Sequence, residues 1–353
     1  MELRQLGTSD LRIPPVIFGA WAIGGLYWGG SDDKQAIRAI QAGIDAGITA
    51  IDTAPIYGFG RSERVVGEAI KGRRNGVIIA TKCGQPWDKG EGRFAYRMKD
   101  ESGREYAVYH TLKPESVIAE CEESLVRLGV DVIDLYQCHT WDYATPPDVI
   151  MEGMVRLKEQ GKIRAIGVSN FSKDLLAGCL AAGPLTSDQP RYNPIDRRIE
   201  ADILPFCREH RIGVITYSPL ERGLLTGKVT MDREFPKGDM RRNSSLFSKK
   251  TRRLVLEALE TLRPIAEAHG ATYGQLVINW VACVPGITAA IVGARTPEQA
   301  RENAGAFDFV LSDEERALIM TTFEKLSARF PKARFRRFLW KLRRRIRRLR
   351  TRR

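Results

Sequence analysis

Strand-length apolar runs alternate with helix-period segments eight times along this chain, and few folds accept that pattern. A run at 16–19 precedes a helical stretch at 33–46, with apolar residues at 36, 37, 40 and 44. Runs at 48–52, 77–82, 132–138, 163–168, 213–217 and 288–292 each lead to a helix. Those helices lie at 62–71, 114–128, 147–160, 172–182, 251–269 with 273–282, and 297–304. A short segment at 187–189 precedes a helix at 200–210, and a last helical pattern covers 312–326. Residues 2–14 read as a hairpin turning at Gly7-Thr8-Ser9-Asp10. Alternation of this kind belongs to the α/β class, with parallel strands covered by helices. Eight units in roughly 300 residues predict a closed (β/α)8 barrel rather than an open sheet.

A closed barrel makes a further demand, since reactive side chains collect where its strands end. Asp52, Lys82, His139, Ser169-Asn170, Gln189, Tyr217 and Gly293-Ala294-Arg295 all fall at such ends. Two segments interrupt the repeat. Residues 83–112 hold Trp87, Arg93, Phe94, Tyr96, Arg97, Tyr106 and Tyr109, and residues 218–250 are rich in Gly, Ser, Lys and Arg. Both predict long loops over the rim, the first able to form a hairpin.

The formal charge of +13 suggests a nucleic-acid binder until it is located. Fourteen of the 56 Lys and Arg lie in 329–353 with no acid, leaving 42 bases against 43 acids in residues 1–328. The chain thus divides into a near-neutral barrel, 1–328, and a basic C-terminal extension, 329–353. Six scattered cysteines without a Cys-x-x-Cys pair predict reduced thiols in a cytoplasmic protein. No apolar run is long enough to span a bilayer, and no His/Cys/Asp cluster has metal-ligand spacing, so no metal is expected. His110, His210 and His269 read as surface or structural residues, and Trp280 with Val277 and Val281 as helical core.

The strand ends point to chemistry at a carbonyl. A carbonyl carbon that receives hydride leaves charge on its oxygen, which then needs a proton. Tyr57 can donate it. Free Tyr titrates near ~10, so a cation is needed beside it, and Lys82 can supply one. Asp52 can hold Lys82 charged, and His139 can orient the carbonyl. Taken singly, each has a plainer reading as core packing or a core ion pair. The four together on successive strand ends do not.

These residues stand in motifs that closely resemble the aldo-keto reductase superfamily. The matching stretches are Asp52-x-Ala54-x-x-Tyr57-Gly58, Gly60-x-Ser62-Glu63-x-x-x-Gly67, Lys82, and His139 after Leu135-Tyr136-Gln137-Cys138. Further on come Gly161 through Phe171, Tyr217-Ser218-Pro219-Leu220, and Gly293-Ala294-Arg295 through Gln299 to Glu302-Asn303. The long loop after Lys82 and Gln189-x-x-Tyr192-Asn193 look most like the bacterial general aldo/keto reductase branch. The resemblance covers about residues 1–328 and implies a TIM barrel, NADP(H) and a catalytic tetrad of Asp52, Tyr57, Lys82 and His139.

It also implies the cofactor residues. Ser169, Asn170 and Gln189 would bind the nicotinamide carboxamide beside Asp52, and Tyr217 would stack on the ring. Leu220, Arg222, Gly223, Leu225, Gly227 and Lys228 would wrap the pyrophosphate. Gly19 and Trp21 would lie near ribose and substrate. Gly293 and Arg295 open a helix whose N-terminus favours anions, with Arg295 facing the 2′-phosphate and Gln299 and Asn303 the adenosine. Two departures stand out. His139-Thr140-Trp141-Asp142 replaces the frequent His-Trp-Pro-Asp, a change expected to touch the substrate pocket. Gln299 replaces a frequent Arg, leaving Arg295 to favour NADP(H).

The expected activity is reduction of aldehydes or ketones, or oxidation of alcohols, with a small carbonyl compound or polyol as substrate. The resemblance also allows an NADPH-binding redox-sensing regulatory subunit, and a Schiff-base lyase through Lys82 is a third reading. In the extension, Phe335, Phe338, Leu339, Leu342, Ile346 and Leu349 recur among arginines. That pattern fits a basic amphipathic helix on an anionic membrane surface, which would place the protein peripherally on the inner membrane face. A solvated extension is the other reading. Nucleic-acid contact would be non-specific, through phosphates. The sequence does not specify an oligomeric state.

Overall fold

The structure, a computed structural model, describes residues 1–330. An N-terminal hairpin, β1 (Arg4–Gln5) and β2 (Arg12–Ile13), is followed by β3 (Val16–Gly19), α1 (Asp33–Asp45), β4 (Ala50–Asp52), α2 (Arg61–Ala69) and β5 (Ile78–Cys83). A second hairpin, β6 (Arg93–Lys99) and β7 (Glu105–His110), leads to α3 (Pro114–Leu128), β8 (Ile133–Cys138), α4 (Pro147–Glu159), β9 (Ile163–Ser169) and α5 (Lys173–Ala182). Then come β10 (Leu185–Gln189), α6 (Ile203–Glu209), β11 (Gly213–Tyr217), α7 (Lys249–Glu260), α8 (Arg263–Ala268), α9 (Tyr273–Ala282), β12 (Ala289–Gly293), α10 (Pro297–Ala304) and α11 (Asp313–Arg329).

Eight parallel strands close in the order β3, β4, β5, β8, β9, β10, β11, β12 and back to β3. The (β/α)8 barrel expected from the alternation is present, with its N-terminal hairpin. Leu6, Leu11 and Ile13 of that hairpin join Ile17, Ala50, Ala80, Leu135, Ala165, Ile215 and Ile291 in one apolar cluster filling the barrel's lower end. The fit is close. Gly213 leaves no room for a Cβ, which would sit 2.6 Å from the Leu6 side chain. One end of the barrel is thus plugged, and chemistry is confined to the other. Further up the strands, two residues on in most and four on in β9, the inward positions become Gly19, Asp52, Lys82, Gln137, Ser169, Tyr217 and Gly293, with Gln189 ending β10, because side chains alternate faces along a strand.

Some expectations shift. The helix expected over 251–269 is two, α7 and α8, because Pro264 lacks the N–H a continuous helix needs. The segment at 187–189 is a full barrel strand. Residues 83–112 do form a hairpin, β6–β7. Helix α11 begins with a capping box, Ser312 with Glu315. It runs through Arg329, which pairs with Glu257 of α7 at 3.1 Å, one residue beyond the expected boundary at 328. The tail residues Phe335, Phe338, Leu339, Leu342, Ile346 and Leu349 lie outside the described residues. No described helix is long and apolar enough to cross a membrane.

One core position carries a cost. Asp188 on β10 is fully buried, and neither carboxylate oxygen has a hydrogen-bond partner among the described residues. Burial pushes its carboxyl up to about 8. The unfolded carboxyl ionises near ~3.9, so the folded chain holds this proton to higher pH. The protonated fold is unpenalised below the unfolded value and loses stability as pH rises toward 8. Asp188→Asn is expected to raise Tm by roughly 5 °C at alkaline pH, with the gain vanishing near pH ~4. Thermal unfolding across that pH range checks it.

Candidate active site

Asp52 ends β4, and the chain turns at once to bring Tyr57 over the barrel mouth. The turn depends on a close backbone approach. A Cβ on Gly58 (φ +69°) would lie 2.3 Å from the Gly24 carbonyl, and one on Gly24 would lie 2.6 Å from the Tyr57 carbonyl carbon. Lys82, inward on β5, is fully buried and donates to Asp52 Oδ1 at 2.6 Å, Thr53 O at 2.8 Å and Tyr57 Oη at 3.4 Å. An ammonium has three protons, and all three are used. Asp52 Oδ2 accepts from Gln189 Nε2 at 2.7 Å and Gln137 Nε2 at 3.2 Å. Behind β5, Thr81 donates to buried Glu63 at 2.6 Å, and Arg127 donates to the same carboxylate at 2.5 Å.

Since Lys82 can only donate, Tyr57 oxygen accepts, and its own proton is left to donate into the cavity that Tyr57 lines. Burial, with the Asp52 charge adding to it, pushes the Tyr57 phenol well above its usual 10. This departs from the expectation that Lys82 would make Tyr57 more acidic, because burial penalises the phenolate and the Asp52 charge adds to that penalty. Burial also lowers Lys82, against the pull of Asp52. The His139 ring lies edge-on to Tyr57 with centroids 5.7 Å apart. Burial and then Lys82 push His139 well below 6.5, so at neutral pH it is an uncharged imidazole.

The strand ends open into a cavity of about 680 Å³. Asp52, Tyr57 and His139 line it, and Lys82 sits behind them. Gly19, Trp21, Ser169, Asn170, Gln189 and Tyr217 line it, as do Leu220, Arg222, Gly223 and Lys228. Gly293, Arg295, Gln299 and Asn303 complete the set. Two expected residues do not reach it. Leu225 is fully buried in the outer core, and Gly227 packs against the Tyr273 ring, where a Cβ would lie 2.8 Å away. Asn170, in a left-handed conformation at φ +61°, ties three strand ends together. It donates to His139 O and Ser169 Oγ and accepts from Tyr217 Oη at 2.8 Å.

Of the aromatics expected over the rim in 83–112, Tyr96 lines the cavity, and several other lining residues were not anticipated. Leu26, Tyr27 and Trp28 come from the loop after β3, Tyr96 and Met98 from β6, and Arg233, Phe235 and Arg241 from the loop after β11. Glycine and basic residues mark these loops in the sequence, but no motif places them. The departure at 140–142 is structural, since Trp141 donates to Thr145 O at 2.8 Å and Asp142 accepts from Leu112 N at 2.9 Å. Trp87 faces Phe59 rather than the cavity. Among the described residues, no group of three His, Cys, Asp or Glu side chains could hold a metal ion.

The donor set fits an anionic, elongated ligand. Arg222, Lys228, Arg233, Arg241 and Arg295 line the β11 and β12 side, and the buried Trp28 Nε1 has no acceptor among the described residues. Arg295 is not free. It donates to Trp28 O at 3.2 Å and Gly30 O at 2.5 Å, and its backbone N–H donates to Gln299 Oε1 at 2.8 Å. Among the described residues it makes no ion pair, though the Asp239 carboxylate, which pairs with Arg241 at 2.6 Å, lies within its electrostatic reach. Lys228, in contrast, pairs with Glu302 at 2.5 Å.

Residues 15–322 match the aldo/keto reductase family. The chain belongs to that family. This aldo/keto reductase is 37% identical to the aldo-keto reductase YhdN of Bacillus subtilis, over 92% of this chain and 94% of that protein. It is 38% identical to the NADH-specific methylglyoxal reductase of Escherichia coli, over 92% of this chain and 99% of that protein. The solved glycerol dehydrogenase of Gluconobacter oxydans superimposes with a TM-score of 0.81 at 37% identity, covering 92% of this chain and 95% of that one. Aldo/keto reductases are oxidoreductases that use nicotinamide cofactors.

Proposed function

We propose that this aldo/keto reductase interconverts aldehydes or ketones with alcohols, using NADP(H), with Asp52, Tyr57, Lys82 and His139 as its catalytic set. The observation that carries this reading is the Tyr57 hydroxyl, which accepts from Lys82 and keeps a proton for the cavity. The bound dinucleotide supplies hydride to the carbonyl carbon. The rest is done by side chains. His139, uncharged, can donate to the substrate oxygen and orient it without adding charge. As the C=O electron pair moves onto oxygen, the Tyr57 O–H bond breaks toward it. The proton goes to the substrate, and the pair stays on a phenolate 3.4 Å from the Lys82 ammonium. Asp52 keeps that ammonium charged and fixed. In the alcohol-oxidising direction, the phenolate takes the proton back.

Ser169, Asn170 and Gln189 would hold the carboxamide, Tyr217 the ring face, and Gly19 and Trp21 the ribose. Arg222, Gly223, Leu220 and Lys228 would enclose the pyrophosphate. Gly293, Arg295, Gln299 and Asn303 would meet the adenosine end. The choice of NADP(H) rests on the Arg295 charge. With Gln299 where a second cation would stand, the expected preference for NADPH over NADH is modest, about tenfold. Arg295→Ala should erase it by raising KM for NADPH alone. Equal use of both dinucleotides by the parent protein would remove the NADP(H) assignment.

The complete constellation favours turnover over a purely regulatory role. A panel of carbonyls scored by NADPH oxidation tests this, and no consumption with any of them would reject it. Residues 329–353 we assign, on charge and apolar spacing alone, to an anionic membrane surface. Sedimentation with anionic vesicles should fall on removal of 329–353, and equal binding by both forms would end that assignment.

A further inference from the structure

The cavity is divided by charge. Its β11 and β12 side carries Arg222, Lys228, Arg233, Arg241 and Arg295. Across the barrel, the β4, β5 and β8 ends and the β6–β7 hairpin supply Ile56, Tyr57, Gln85, Tyr96, Met98 and His139. Among the described residues, the one charged side chain lining that arc is Asp52, whose oxygens are already taken by Lys82, Gln137 and Gln189. A charged substituent lodged there would lose water and meet no free counter-charge. A neutral polar group would meet Gln85 and the Tyr96 hydroxyl.

The hairpin is a built wall rather than a loose loop. Close to its turn, Tyr106, the strand partner of Met98, stacks on Phe59 with centroids 3.9 Å apart, two residues beyond Tyr57. At its tip, Glu101 takes the Arg61 guanidinium at 2.8 Å, and the same guanidinium holds Asp33 at 2.8 Å and Ser31 O at 2.6 Å. The tip seats on Gly25, where a Cβ would fall 1.9 Å from Glu101 Oε1. The wall is therefore anchored both to the segment that carries Tyr57 and to the loop after β3.

We infer that the β6–β7 hairpin, through Tyr96 and Met98, is the specificity-determining wall of this site, and that it selects uncharged carbonyl compounds with an apolar or aromatic body over carboxylated or phosphorylated ones. The inference rests on the reading of the cavity as a carbonyl reductase site. Two substrates of matched shape test it, 4-carboxybenzaldehyde and its methyl ester, with kcat/KM measured for each. The ester is expected to exceed the acid by about a hundredfold, the effect of burying an unpaired carboxylate. Met98→Lys places a cation on the wall and should shrink that ratio by about tenfold, whereas Met98→Gln, equally polar but uncharged, should not. Equal kcat/KM for acid and ester in the parent protein would overturn the inference. So would a ratio that Met98→Lys leaves unchanged. Reduction of neither compound with either dinucleotide would instead reject the reductase reading beneath it.

Discussion

Tyr57→Phe is expected to lower carbonyl reduction by about a thousandfold while leaving fold and dinucleotide affinity near those of the parent. Among the described residues the hydroxyl has one hydrogen-bond partner, Lys82 at 3.4 Å, so its loss removes little structure. What it removes is the proton. The pH dependence follows from the same group. Burial and Asp52 hold the phenol well above its usual 10, so it stays protonated through the neutral range. Reduction, which needs the phenol, should be flat there and fall only at strongly alkaline pH. Oxidation of an alcohol needs the phenolate and should rise with pH over the same span. Steady-state kcat in both directions, from neutral to alkaline pH, separates these shapes, and the Phe variant should lose both.

The second large effect concerns Lys82. Lys82→Met would leave Asp52, 3% exposed, with two glutamine amides and no cation. Breaking a buried pair from one side costs about 3–5 kcal/mol, so unfolding should occur at clearly lower denaturant concentration. Reduction should fall at least a hundredfold, since the phenolate would form beside no positive charge. Replacing both partners, Lys82→Met with Asp52→Leu, should recover most of the stability, because the uncompensated charge is gone. Activity should not return. A stable double variant that turned over at the parent rate would show that the pair is structural and the chemistry lies elsewhere.

Much of this architecture is legible in the sequence, because strand periodicity and polar strand ends are local signals. The alternation of apolar runs predicts the barrel, and the last inward residue of each strand predicts the rim. Packing beyond the motif is not legible. Leu225 and Gly227 lie in a basic, glycine-rich loop that suggests ligand contact, yet the 3-10 turn at Leu224–Thr226 directs Leu225 into the core. Tyr96 and Trp87 look alike as loop aromatics. The pairing of β6 with β7, and the stack of Tyr106 on Phe59, put Tyr96 in the cavity wall and Trp87 behind it. The Tyr57 phenol is the clearest physical lesson. One cation nearby suggests a lowered value, but the balance is set by burial and by the Asp52 charge across from Lys82, neither of which sequence spacing reveals.

The central claim is that hydride passes directly between a nicotinamide and a carbonyl carbon in this cavity, with Tyr57 supplying the proton. Its most direct test is isotopic. The protein is incubated with an aldehyde and reduced dinucleotide deuterated at the transferred C4 position, and the alcohol is analysed by mass spectrometry. The account predicts one deuterium on the carbinol carbon with the parent protein and almost no alcohol with Tyr57→Phe. Unlabelled alcohol from the parent protein, or labelled alcohol formed at the parent rate by the Phe variant, would contradict it.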